Sequence, residues 1–85
     1  MPEYYLVSRI IGRKITSYRK MNGMSLSDIA RIINVSEQQQ SRYERGINRI
    51  NLDRLNQYAE IFKVDLIDFF NISLHDIKNI KQSLI

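Results

Sequence analysis

Eighty-five residues, 44% hydrophobic and 26% charged, suit one small globular domain with a single core and exclude a disordered tail. No Cys and a single His, His75, exclude a disulfide scaffold, a thiolate zinc site, a Cys nucleophile and a multi-His metal centre. The net charge is +4, but ten of the thirteen basic and four of the nine acidic residues fall between Arg9 and Arg54, so that stretch carries +6 and the remainder −2. Such a distribution suits a polyanionic partner, or alternatively a solubilising surface.

Three Gly and one Pro leave little room for sharp turns, and the periodicity reads as helix nearly throughout. A first helix is predicted over Leu6 to Met21, with Val7, Ile11, Ile15 and Tyr18 on its inner face and Gly23 as its stop. Ser25-Leu-Ser-Asp28 is a capping box that opens a second helix with Ile29, Ala30 and Ile33 inside. Asn34 stands where a left-handed residue is wanted. Ser36-Glu-Gln-Gln39 is another capping box, opening a third helix that runs through Arg45 to a stop at Gly46. Asn51 caps a fourth, with Leu52, Leu55, Tyr58, Ala59 and Phe62 inward. Asp65 to Asp68 starts a short fifth helix ending near Phe70, and Ser73 to Asp76 opens a C-terminal helix striped with Leu74, Ile77, Ile80 and Leu84. The expected architecture is one all-α domain over 1–85, with a core at 7–70 and the last helix at about 74–84.

Only Asn34, Val35 and Ser36 separate the second and third helices. So short a link, with a left-handed residue in it, makes the two helices cross steeply instead of folding back as a hairpin, and the third projects as a recognition helix. Gln38, Arg42 and Arg45 form one outward stripe on it, flanked by Gln39 and Ser41. Gln and Arg are the side chains that make paired hydrogen bonds to major-groove edges, Gln to adenine and Arg to guanine.

At this point the sequence resembles a known family. Ile11-Gly-Arg-Lys-Ile15, Tyr18-Arg19-Lys20, Gly23-Met24-Ser25, Ile29-Ala30, Val35-Ser36, Ser41-Arg-Tyr-Glu-Arg-Gly46, Leu52, Leu55, Ala59 and Val64-Asp65 are similar to the phage-repressor-like helix-turn-helix domain, the Cro/C1 or XRE family. The resemblance covers residues 11–70 in one ungapped register. It implies a five-helix, lambda-repressor-like fold with an additional C-terminal helix, and a regulator that binds duplex DNA as a dimer on an inverted repeat. It implies base reading by Glu37, Gln38 and Arg42, and backbone contacts from Gln39, Arg45, Arg49 and Asn48. Ser25, at the N-terminus of the second helix, and Ser41 are expected to add further backbone contacts. Arg19 and Glu44 match a pair that forms a structural salt bridge in the family. The Gln-Gln-Gln-Ser-Arg-Tyr-Glu-Arg-Gly string also looks like the MrpJ-type regulators of enterobacterial fimbrial operons, which repress motility genes.

Three positions depart from the pattern. Leu26 replaces a Gln that often grips phosphate, and Glu37 replaces a frequent Gln. Gln40 stands where the family buries Ile or Val, which implies either a side chain reaching to solvent or a slightly rotated helix.

No phosphate-binding glycine loop, metal-ligand cluster or catalytic triad spacing is present, so neither an enzyme nor a cofactor is expected. His75 reads as a surface or packing residue, Asp65 and Asp68 as helix caps, and Tyr4 and Tyr5 as aromatics that pack on the core or stack on bases. Apolar runs reach about four residues, short of the roughly 18 of a membrane span. Glu3, Ser8 and Arg9 break any leader-like segment, so a cytosolic protein is expected. Phe69, Phe70, Leu74, Ile77, Ile80 and Leu84 are candidates for a dimer interface, unless the last helix closes the core instead. The competing reading is an antitoxin-like module that binds a partner protein and regulates its own operon.

Overall fold

A computed structural model describes residues 6–83, and side chains as far as Asn79. Its elements are α1 (Leu6–Met21), α2 (Leu26–Ile33), α3 (Glu37–Arg45), α4 (Leu52–Phe62), a short 3₁₀ helix (Leu66–Phe70) and α5 (Leu74–Ser83). No strand occurs among the described residues. The fold is all-α and lambda-repressor-like; the expected fifth helix is the 3₁₀ segment, and α5 is the additional one. Tyr4, Tyr5 and Leu84 lie outside the described residues.

The helix boundaries have local chemical causes. The Ser25 hydroxyl accepts from the Asp28 N–H at 3.0 Å, and the Asp28 carboxylate accepts from the Ser25 N–H at 2.9 Å. Ser73 and Asp76 repeat this pairing at the start of α5, with bonds of 3.0 and 3.1 Å. Asn51 caps α4 by accepting from the Arg54 N–H at 2.7 Å. At the other ends, Asn34 (φ 60°) closes α2 and Lys63 (φ 58°) closes α4 in the left-handed region.

Ile11 and Ile15 of α1, Ile29 and Ile33 of α2, Leu55, Tyr58, Ala59 and Phe62 of α4, and Phe69 form the core. Burying a side chain such as Ile15 or Ile29 contributes about 1.5–3 kcal/mol. Tyr18 bridges the aromatic end, its ring centroid 5.5 Å from Phe62 and 5.6 Å, edge-on, from Phe69.

Two expected core positions are corrected. Val7, in the first turn of α1, is 47% exposed, and Ile10 is buried in its place because α5 packs along α1 and covers that side. Leu52 is 66% exposed, since the first position of α4 lies at the end of the helix, outside the packed layer.

Long side chains tie the elements together. Lys14 Nζ donates to the Asp68 and Asn71 carbonyls at 3.2 and 2.7 Å, closing the end of the 3₁₀ helix onto α1. Arg54 Nη1 donates to the Ile33 carbonyl at 2.6 Å, satisfying an orphan acceptor at the end of α2 from α4. Gly12 lets α1 and α3 touch backbone to backbone: a Cβ there would lie 2.5 Å from the carbonyl oxygens of both Tyr43 and Glu44.

Candidate nucleic-acid interface

Asn34, Val35 and Ser36 make the turn between α2 and α3. The Val35 N–H donates to the Ala30 carbonyl at 2.9 Å, and the Ser36 hydroxyl accepts from the Gln39 N–H at 3.0 Å. Ala30 is buried, so the small side chain permits the close crossing, while Val35 packs against the core from the corner. The second half of the expected Ser36 box is replaced: Gln39 Oε1 accepts instead from Asn48 Nδ2 at 3.3 Å, which joins the start of α3 to the loop beyond it. Gly46 ends α3 with φ 71°, and a Cβ there would also collide with the Arg9 backbone at 2.5 Å.

The buried residues of α3 are both polar, Gln40 and Glu44. Glu44 accepts from Arg19 Nε at 2.8 Å and Arg19 Nη2 at 3.1 Å, a two-pronged ion pair across α1 and α3. Thr16 Oγ1 lies 2.9 Å from the same carboxylate, and Gln40 Nε2 donates to it at 2.8 Å. Arg19 Nη1 turns to the Met24 carbonyl at 2.8 Å, fixing the entry to α2. Gln40 is 0% exposed, which removes the first of the two expected alternatives, a side chain reaching to solvent. Its amide oxygen accepts from the Tyr58 hydroxyl of α4, so both ends of the side chain are satisfied inside the protein. Burial pushes the Tyr58 hydroxyl's pKa well up, so it stays a donor. No buried side-chain nitrogen or oxygen among the described residues lacks a partner.

Sequence reasoning placed Arg19 opposite Glu44 through the family pattern but missed Thr16, Gln40 and Tyr58. A signal was present: Gln40 lies one turn before Glu44 on the inward side, and Tyr58 brings a hydroxyl to the inward side of α4. Nothing local says that the two meet.

The outer face carries the expected readers. Glu37, Gln38, Arg42 and Arg45 are exposed, with Ser41 and Gln39 half-buried on the flanks. The side chains of Gln38 and Arg42 form no hydrogen bond or ion pair with any described residue, so their donors face outward uncommitted. Arg45 Nε leans back on the Ser41 carbonyl at 3.4 Å. Arg49, exposed, and Asn48, half-buried, border an open hollow with Gln39 and Ile47 beside the start of α3. Ser25 is exposed at the N-terminus of α2, where the Ser25 N–H holds the Asp28 carboxyl's pKa below the usual range. Leu26 is half-buried, so backbone N–H groups, small hydroxyls and the Asp28 carboxylate of the capping box mark that terminus. Among the basic residues of the positive stretch, Lys14, Arg19 and Arg54 are engaged inside the fold.

The proposed dimer residues do not share one environment. Phe69 is 0% exposed and belongs to the core, which removes it from any interface, because its ring fills the space beside Tyr18. Phe70 and Leu74 are 45% and 65% exposed, and Ile77 is half-buried where α5 faces α1. The side chains of Ile80 and Leu84 lie outside the described residues.

Residues 15–69 match the sequence model of a helix-turn-helix family. The chain is 33% identical over 73 residues to an uncharacterized HTH-type transcriptional regulator of Sinorhizobium fredii, covering 86% of this chain and 51% of that protein. It is 39% identical over 64 residues to one of Rickettsia conorii, covering 75% and 51%. The antitoxin PezA of Streptococcus pneumoniae is 30% identical over 59 residues, 69% of this chain and 37% of that protein. The chain thus spans about half the length of the curated regulators it matches. No solved structure gives a significant match.

Proposed function

The chain belongs to the XRE-type helix-turn-helix family of DNA-binding transcriptional regulators, and on that premise we propose that it reads duplex sequence by laying the exposed face of α3 in the major groove. The observation that carries the reading is the two-sidedness of α3. Gln40 and Glu44 are locked inward by hydrogen bonds, while Gln38 and Arg42 point outward without partners among the described residues. Gln38 and Arg42 contact base edges, with Glu37 available to a cytosine amino group. Arg45, Arg49, Gln39, Ser41 and Asn48 hold phosphates, and the Ser25 hydroxyl and the N–H groups that follow it in the first turn of α2 dock on the backbone.

Two copies on an inverted repeat place their α3 helices in successive major grooves, about 34 Å apart. The exposed Phe70 and Leu74, continuing along α5, supply an apolar surface for pairing. The chemistry is that of a binding protein and not an enzyme. A repressor, of the kind that silences motility or fimbrial genes, fits the fimbrial-regulator-like Gln38 to Gly46 string.

Selection of binding sites from a random duplex pool tests this reading. A palindromic consensus with a spacing of one helical turn supports it, whereas recovery of unenriched sequence contradicts it. The antitoxin relative favours a second reading, in which the same domain regulates its own operon while a partner protein is bound elsewhere. Co-purification of a protein encoded beside the gene distinguishes the two.

A further inference from the structure

We propose that Tyr58 and Gln40 are positioning residues for sequence reading: the bond between them sets the rotation of α3 about its own axis, and so the direction in which Gln38 and Arg42 leave the helix. The inference rests on the duplex-reading role proposed above.

The polarity of the Gln40 amide is determined. A carboxylate only accepts, so the Gln40 amide must turn its nitrogen toward Glu44, as it does at 2.8 Å. That leaves the amide oxygen facing α4, where only a donor can satisfy it, and the Tyr58 hydroxyl is that donor. Glu44 has four acceptor positions and four donor groups around it, from Arg19 twice, Thr16 and Gln40. The Thr16 hydroxyl also lies 3.0 Å from the Gly12 carbonyl, so its one proton serves either acceptor, and the three N–H donors from Arg19 and Gln40 are the fixed part of the network. The α1 side of α3 is held by the Arg19 ion pair, and the α4 side by Tyr58. An apolar Ile or Val at position 40 would fill the space but would tolerate sliding, whereas hydrogen bonds fix angle as well as distance.

The lever is short. With side chains about 5–6 Å from the helix axis, a 20° rotation displaces a contact by roughly 2 Å, enough to lose a base-edge hydrogen bond while phosphate contacts from flexible arginines adapt. A structural element would affect all DNA alike. A rotation lock affects selectivity.

Tyr58→Phe keeps the ring and its packing against Phe62 and deletes only the hydroxyl. Wild type and variant are titrated at one salt concentration against the duplex the wild type selects and against a scrambled duplex, with protein concentrations corrected for the folded fraction by circular dichroism. The ratio of the two affinities is expected to fall roughly tenfold, the discrimination of one base contact, with affinity for the scrambled duplex unchanged. Amide resonances from Gln38 to Arg45 are expected to shift together. An unchanged ratio overturns the inference, whatever happens to the Tm. Should Tyr58→Phe fail to fold, the double variant Gln40→Ile with Tyr58→Phe removes the stranded amide oxygen. Its ratio is expected to remain reduced in a stable protein, and a wild-type ratio overturns the inference. A wild type with no preferred duplex overturns both this inference and the function on which it rests; equal ratios with a selective wild type overturn this one alone.

Discussion

Glu44 and Arg42 lie two residues apart on α3, yet their environments assign them opposite tasks. Glu44 is 9% exposed and meets four donor groups, so removing its partner by Arg19→Ala leaves a buried charge uncompensated and costs about 3–5 kcal/mol. Urea denaturation measures this; a loss below about 1 kcal/mol would show that water screens the pair. Arg42 is exposed and makes no internal bond among the described residues, so Arg42→Ala leaves stability unchanged while lowering affinity for the selected duplex by about 1–3 kcal/mol and relaxing its sequence preference. Arg49→Ala weakens all duplexes alike and lowers the salt slope by about one. Asp28 adds a pH dependence at the N-terminus of α2. Its folded pKa lies below the unfolded one because the Ser25 N–H donates to the charged form. The stabilisation is therefore complete above the unfolded value of about 3.9 and is lost as the pH falls through the lower folded value. Asp28→Asn flattens stability against pH in that acid window, which thermal melts between pH 2 and about 6 follow.

Between elements, the crossing of α1 and α3 at Gly12 sets how closely the reading helix approaches α1. Gly12→Ala drives a Cβ to 2.5 Å from two carbonyl oxygens of α3, and overpacking of this kind costs about 1–3 kcal/mol. Because the strain falls at the C-terminal end of the recognition helix, the variant also loses duplex selectivity; retention of both Tm and selectivity would show that α1 gives way freely. How much of this was legible in the sequence follows the range of the interactions. The boxes at Ser25–Asp28 and Ser73–Asp76, and the turn at Asn34, depend on residues three apart or on one backbone angle, so the sequence displays them. The outward stripe of Gln38 and Arg42 follows from helical periodicity once the turn is located. Gln40 was not readable, because its acceptor is satisfied by Tyr58, 18 residues further along the chain. Val7 and Ile10 exchanged places for a similar reason, since the position of α5 decides which side of α1 is covered. Phe69 and Phe70 look alike in sequence, and only the packing of the 3₁₀ helix under Tyr18 sends one into the core.

For the whole molecule, charge is a coarse guide that the structure refines. Lys14 and Arg54 are used to satisfy carbonyls at helix ends, so the positive count of the Arg9 to Arg54 stretch overstates what is free to meet a polyanion. Exposed arginines on and after α3 lie beside the readers, where steering and phosphate contact are useful. The proposed pairing of two copies makes its own prediction: Leu74→Glu leaves the fold intact, because Leu74 is 65% exposed, but shifts the protein to monomer in sedimentation and weakens binding to an inverted repeat more than to a single half-site. Equal sedimentation of variant and wild type would place the interface elsewhere.

The contact between Arg42 and a base is best tested on both partners at once. Replacing a guanine of the selected half-site with 7-deazaguanine removes the N7 acceptor in the major groove and nothing from the phosphates. Affinities of wild type and Arg42→Ala for the two duplexes close a double-mutant cycle. If Arg42 reads that guanine, the base change weakens wild type and is nearly silent in the variant. Losses that simply add at every guanine of the site would contradict the account.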